Sequence, residues 1–197
     1  MRIGFTVTWK GNSVPADDRT DELRKWCRAF HRLELTPLYR GSSLGNLSFR
    51  LHKHDNSFII TASELGLKDC LTDDSFVLVH DCDLEKGIIT AGGTRNPSSE
   101  SMLHHEIYRR RKDVHAIFHG HSRRILEAAH ALSIPETCRE EPFGSVELVS
   151  SVMEILSDHW FIIMKNHGFL SLGRTMREAG EAAVAVHEQA SALKTAT

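Results

Sequence analysis

The sequence predicts a three-layer α/β/α domain built around a central mixed, largely antiparallel sheet. Short apolar runs of strand length alternate with segments of helical spacing, yet without the strict βαβ repetition of a parallel fold. Runs such as Trp160 to Met164 are apolar throughout, as strands covered on both faces are. The 197 residues are 41% hydrophobic and 25% charged, and no repeat, low-complexity tract or linker divides them. One domain over 1–197 is expected, with 1–18 as an N-terminal extension.

Taken in order, Phe5, Val7 and Trp9 alternate as in a short edge strand. Leu23, Trp26, Cys27, Phe30 and Leu33 recur at helical spacing from Thr20, with Thr20 or Asp17 as N-cap, and Pro37 and Gly41 end that region. The loop Gly41 to Gly45 leads into a strand marked by Leu47, Phe49 and Leu51, and Asp55-Asn56 turns the chain into Phe58 to Thr61. Ser75 to Val79 and Gly87 to Thr90 are further strands, separated by an acidic turn at Asp81-Cys82-Asp83. After the breakers Gly92 to Pro97, Ser98 or Ser99 caps a helix carrying Leu103, Ile107 and Tyr108, with Glu100 in its first turn. A strand over Val114 to Phe118 follows, then a helix from Ser122 with Ile125, Ala128, Ala129 and Leu132. Ser145 caps the next helix, Trp160 to Met164 and Phe169 to Leu172 are strands, and Thr175 to Glu178 is a capping box opening the last helix.

Composition excludes several classes. A formal net charge of -2 gives no case for nucleic acid, and the basic run Arg109 to Lys112 reads as cations at a helix C-terminus. Cys27, Cys70, Cys82 and Cys138 are scattered without a CxxC pair, as in a reduced, cytoplasmic protein. Neither a signal-peptide pattern nor an apolar run of membrane-spanning length is visible, so no membrane partner is expected.

His119-Gly120-His121 ends the Val114 to Phe118 run. Side chains alternate along a strand, so both imidazoles point the same way, either as half of a tetrahedral zinc site or as polar residues at a strand-to-loop junction. His167 also follows an apolar strand, and Glu100 opens the helix preceding the HxH strand. Three neutral imidazoles would leave zinc an open coordination position, and a nearby carboxylate is what proton abstraction beside a polarised carbonyl requires. Rival HxH chemistries fit less well: helices follow where a cupin needs strands, and Ser122-Arg123-Arg124 replaces the HxHxDH continuation. No G-x-S-x-G elbow supports acyl transfer.

Gly45-Asn46-Leu47-Ser48, Ile60-Thr61-Ala62-Ser63, Pro97-Ser98-Ser99-Glu100, His119-Gly120-His121-Ser122 and Asn166-His167-Gly168 occur in that order. In these motifs the chain resembles the class II aldolase/adducin family, typified by fuculose-phosphate aldolases, from about Thr20 to the C-terminal helix. The resemblance implies that His119, His121 and His167 are ligands of Zn²⁺ or another divalent metal, and that Glu100 is the acid/base carboxylate. It assigns Gly45, Asn46, Ser63, Ser98 and Ser99 to the substrate phosphate, in keeping with the N–H and O–H donors such loops offer an anion. The implied reaction is retro-aldol cleavage of a small ketose phosphate, or a related acidic sugar, to dihydroxyacetone phosphate and an aldehyde through a metal-bound enediolate. A homo-oligomer, with a tetramer favoured, is implied as well. An epimerase, dehydratase or decarboxylase of the same family, or a non-catalytic adducin-like binding module, are the alternatives.

Two features depart from the family pattern. Glu64 follows Ser63 where the phosphate loop usually has Gly, and a carboxylate there repels phosphate unless it turns outward. The segment Ile134 to Gly144 is short, and neither Tyr39 nor Tyr108 lies where the family places its aromatic proton donors, so the acid for the leaving aldehyde is unassigned.

Overall fold

The computed structural model describes residues 5–195, and the two ends of the expected 1–197 domain lie outside them. The chain runs β1 (Thr6–Trp9), α1 (Thr20–Arg32), β2 (Leu38–Tyr39), β3 (Ser42–Ser43), β4 (Asn46–Arg50), β5 (Phe58–Thr61), β6 (Phe76–Asp83) and β7 (Ile88–Gly92). It continues through α2 (Ser101–Arg110), β8 (Ala116–Gly120), α3 (Arg123–Ala128), α4 (Val146–Ile155), β9 (Phe161–Met164), β10 (Gly168–Gly173) and α5 (Met176–Thr195). Among the described residues the main sheet has 8 strands in the order β1-β7-β6-β5-β4-β8-β10-β9, and β2 and β3 form a small separate hairpin. The pair β1–β7 is parallel and every other pairing in the sheet is antiparallel, which is the mixed, largely antiparallel sheet expected.

Helices cover both faces. Phe118 of β8 meets Phe30 of α1 edge-on, with ring centres 5.5 Å apart, while Trp26 tilts against it at 5.9 Å. Ser48, one strand over, faces the other way and bonds His104 and Tyr108 of α2 at 2.8 Å each. The α5 helix packs on β8 and β10, with α1 and α3 beside it, whereas α4 packs on α2. Two covered faces explain why β4, β5, β8 and β10 are buried at every position, the polar Asn46, Ser48 and Arg50 of β4 included.

Several sequence expectations change in detail. The Asp81-Cys82-Asp83 turn is instead the end of β6, because a register irregularity between Val79 and Asp81 lets pairing with β7 resume. Arg19 is the N-cap of α1, since the Asp17 carboxylate is taken by the Arg19 guanidinium and Thr20 donates to the Asp17 carbonyl. The α3 helix stops at Ala128. Ser122 and Ser145 do cap α3 and α4, accepting from Ile125 and Leu148. At α5, Thr175 accepts the Glu178 N–H, while Glu178 reaches back to the N–H of Arg174 rather than of Thr175.

One buried cation ties the layers together. Arg50 is 2% exposed and donates to the carbonyls of Val114 at 3.0 Å, Tyr108 at 2.6 Å, Arg111 at 2.9 Å and Asp55 at 2.6 Å. Burial draws its pKa down from the ordinary arginine value, and its guanidinium also lies 4.7 Å from the Tyr108 ring centre. The fork thus clamps the C-terminal end of α2 and the start of the β8 segment to β4. Arg50→Met removes all four of these bonds, and an expected loss of about 3 kcal/mol is read by urea unfolding. Arg50→Lys keeps the charge without the fork and should fall between wild type and Arg50→Met.

Candidate metal centre

The site grows from three neighbouring strands. Asn46 of β4 lies opposite His119 of β8, and Leu170 of β10 flanks His119 on the other side. Because Phe118 faces α1, His119 points towards α2, whose N-terminus carries Glu100. The strand runs to Gly120, two residues past the expected end, so His119 stands inside the sheet and His121 just beyond it. His167 comes from the β9–β10 turn.

Close backbone approach makes this possible. Gly45 has φ +74°, and a Cβ there would lie 2.5 Å from the His119 carbonyl oxygen. At Gly120 a Cβ would lie 2.5 Å from the Phe169 ring, which packs against the strand end. These positions admit no side chain.

The three imidazoles converge. Each of His119, His121 and His167 offers a ring nitrogen, and these atoms lie within 4.8 Å of one another. Glu100 completes the cluster: Oε2 is 3.2 Å from His119 Nε2, and Oε1 is 3.2 Å from His167 Nε2. Asn46 Nδ2 donates to Glu100 Oε2 at 2.7 Å. His119 Nδ1 sits 2.9 Å from the Phe169 carbonyl, and that carbonyl can only accept. The proton is therefore on Nδ1, and the Nε2 lone pair faces the cluster.

Electrostatics favour an ionised acid, with His119 and His121 kept neutral and His167 drawn towards its protonated form. Burial alone would raise the Glu100 carboxyl, but the facing imidazoles of His119 and His167 outweigh it and hold the group well below its ordinary value. Burial lowers His119 and pushes His121 down to about 2. At His167 burial acts in the same direction, yet the Glu100 carboxylate beside it wins and raises the value. His119 Nε2, Glu100 Oε1 and Asn46 Oδ1 are buried without a hydrogen-bond partner. Orphaned buried groups cost about 1–3 kcal/mol each. A divalent cation would satisfy the imidazole and carboxylate lone pairs together, and nitrogen and oxygen donors of this kind suit zinc and similar ions.

The other expected site residues are distributed differently. Gly45 and Asn46 are at the cluster, Asn46 spending its amide on Glu100. Ser63 donates its hydroxyl to the Pro97 carbonyl at 2.7 Å and its N–H to the Asn96 carbonyl at 2.9 Å, so both its donors are engaged. Ser98 accepts the Glu100 N–H, and Glu100 itself, rather than Ser98 or Ser99, is the N-cap of α2. Ser99 is half-buried beneath Gly144. Glu64 is exposed, with φ +54°.

Two supporting residues carry no motif. His104, one helical turn after Glu100, is buried beside Ser48, and burial pushes its pKa down to about 3. The i, i+4 spacing from Glu100 was the only signal for it. Lys68 is 2% exposed and donates to the carbonyls of Ser43 at 3.3 Å, Leu44 at 3.2 Å and Gly45 at 3.0 Å. It therefore holds the loop that presents Gly45 and Asn46. Burial brings its pKa down from 10.5 to about 8. Between those values the unfolded chain holds a proton that the folded one has released, so stability rises with pH there. Unfolding free energies of wild type minus Lys68→Met should climb from about pH 8 to about pH 10.5. A flat or falling difference would contradict a buried ammonium.

Comparison with known proteins identifies the family. Residues 21–193 match the profile of the Class II Aldolase and Adducin N-terminal domain. The L-fuculose phosphate aldolase of Methanococcus maripaludis is 30% identical over 172 residues, covering 80% of this chain and 86% of that protein. The methylthioribulose-1-phosphate dehydratase of Xylella fastidiosa is 24% identical over 161 residues, covering 68% of this chain and 70% of that one. The crystal structure of L-fuculose-1-phosphate aldolase from Thermus thermophilus superposes with a TM-score of 0.67 at 23% identity, covering 87% of this chain and 90% of that one, and supports the fold. With motifs, fold and profile in agreement, the chain belongs to the class II aldolase and adducin N-terminal domain family.

Proposed function

We propose that the protein is a zinc-dependent, aldolase-type lyase acting on a small ketose phosphate or a related acidic sugar. His119, His121 and His167 hold the ion, and Glu100 moves the proton. The observation that carries this reading is the convergence of three imidazoles within 4.8 Å beside a buried carboxylate whose Oε1 has no hydrogen bond. Bound zinc supplies Lewis acidity, which polarises a substrate carbonyl and acidifies the neighbouring C–H.

The chain's own residues account for the rest. Glu100 is held ionised, so it is ready to take a proton from the carbon beside the substrate carbonyl and to return it there. Asn46 fixes Oε2, which leaves Oε1 as the transferring atom. The Phe169 carbonyl keeps His119 in one tautomer and orientation. Burial of Glu100 and His119 excludes bulk water and strengthens each of these interactions. Ser98 and Ser99 directly precede Glu100 and, with Gly45, Asn46 and Ser63, form the substrate side, although Asn46 and Ser63 act through the groups they already bond.

A second reading, elimination of water from the same kind of substrate, is favoured by the similarity to a methylthioribulose-1-phosphate dehydratase. Lyase cleavage breaks the carbon chain and dehydration does not, so NMR of the products from a panel of ketose phosphates separates them. Among the described residues no helix is long and apolar enough to cross a membrane. The family resemblance favours a homotetramer as the working form.

Metal analysis tests the foundation. Purified wild type should carry about one zinc per chain, the stoichiometry of a three-histidine site, and His119→Ala should lose it. Glu100→Gln should retain the metal while turnover falls about 10²- to 10⁴-fold. Wild type without metal at neutral pH, or Glu100→Gln with full turnover, would overturn the assignment.

A further inference from the structure

Asn46 and Ser48 are alternate residues of β4 and turn to the same side, while Glu100 and His104 stand one helical turn apart at the start of α2. Asn46–Glu100, at 2.7 Å, and Ser48–His104, at 2.8 Å, are therefore successive rungs between strand and helix. All four residues are buried. The second rung continues to Tyr108, whose phenol lies 2.8 Å from the Ser48 hydroxyl and whose ring and carbonyl are both held by Arg50. Asn46 Oδ1 on the first rung and His104 Nε2 on the second are buried without a hydrogen-bond partner, and neither belongs to the metal-binding set. The hydrogens of the second rung can be placed in one way. Among the described residues Ser48 is the only acceptor bonded to the Tyr108 phenol, so the phenol donates to Ser48 and the Ser48 hydroxyl donates in turn to His104 Nδ1. The reverse order strands a buried hydroxyl hydrogen. Burial, which outweighs the pull of the Glu100 carboxylate, keeps the imidazole neutral, and with Nδ1 accepting, its one N–H is on Nε2. A donor and an acceptor are thus left unpaired on neighbouring rungs.

We propose that His104 is a positioning residue for Glu100, its Nε2–H donating through one buried water to Asn46 Oδ1. The rungs stand about 6 Å apart, the reach of one water with two partners. An asparagine amide can turn end for end, and a donor at its oxygen fixes the orientation in which Nδ2 faces Glu100 Oε2. Turned the other way, the Asn46 oxygen would lie against the carboxylate and drive it from its place. Every link then donates towards Glu100, from Tyr108 through Ser48, His104, the water and Asn46, so each bond polarises the next. The effect on turnover rests on the lyase reading above; the hydrogen order and the link to Asn46 do not.

NMR of the metal-loaded protein, with isotope-labelled histidine and asparagine, reads the link directly. Wild type should carry the His104 proton on Nε2, and the Asn46 side-chain N–H protons should exchange slowly with water. His104→Phe, and His104→Asn, which keeps a polar group only at the Nδ1 position, should speed that exchange about tenfold. His104→Gln, whose amide reaches the Nε2 position, should restore it. Ser48→Ala keeps the imidazole but frees Nδ1, and should speed the exchange in the same direction. Turnover of dihydroxyacetone phosphate, read as deuterium uptake from D₂O, should follow the same order. Its kcat should fall about 10- to 100-fold in His104→Phe and His104→Asn and recover in His104→Gln, with KM and zinc content unchanged. A proton on Nδ1 in wild type, unaltered Asn46 exchange in His104→Phe, or His104→Gln as impaired as His104→Phe would overturn the proposal. So would a fall in turnover matched by loss of zinc or of urea-unfolding stability, since His104 would then be structural alone. Wild type with the expected proton order and protected Asn46 amide but no deuterium uptake would refute the lyase reading and leave the link standing, so the two fail distinguishably.

Discussion

The contact on which the rest of the structure depends is the meeting of Glu100 with His119 across the boundary between sheet and helix. A carboxylate buried in an apolar layer is costly unless it is paired and hydrogen-bonded, and here its oxygens face two imidazoles and an amide. That pairing fixes where α2 begins, because Glu100 is its first non-helical residue. It also requires β4, β8 and β10 to lie side by side, so that Asn46, His119 and the Phe169 carbonyl reach one point. The orphaned lone pairs that remain there mark a place for a cation rather than a finished core.

Such a cluster demands backbone approach that side chains would prevent. The glycines at 45 and 120 let neighbouring chain segments close on His119, and Lys68 gathers the three carbonyls of the loop that leads into Asn46. Arg50 performs the same service at the far end of β4. Two buried cations bonded to main-chain carbonyls thus fix both ends of the strand that bears Asn46. The mutual repulsion of converging carbonyls and imidazoles is balanced within the protein, which leaves the site itself free to receive charge.

Much of this was legible in the sequence. Period and length marked the strands and helices, and the HxH pair, the later His167 and the upstream Glu100 stood out because metal and acid/base chemistry need those residue types at element ends. Lys68 was not legible, since its role depends on carbonyls contributed from the loop at 43–45. Nor was the fate of Ser63, whose hydroxyl is consumed by a carbonyl more than thirty residues away. The continuation of β6 through Asp81 to Asp83 depends on a strand irregularity that composition disguised as a turn.

The central claim is that Glu100 exchanges a proton with the carbon beside a polarised carbonyl. Incubating metal-loaded protein with dihydroxyacetone phosphate in D₂O, and following the loss of one C–H signal by NMR, reads that step without any need for the aldehyde partner. The account predicts stereospecific deuterium uptake by wild type and its loss in Glu100→Gln. Absence of uptake by zinc-replete wild type, or equal uptake by Glu100→Gln, would contradict it.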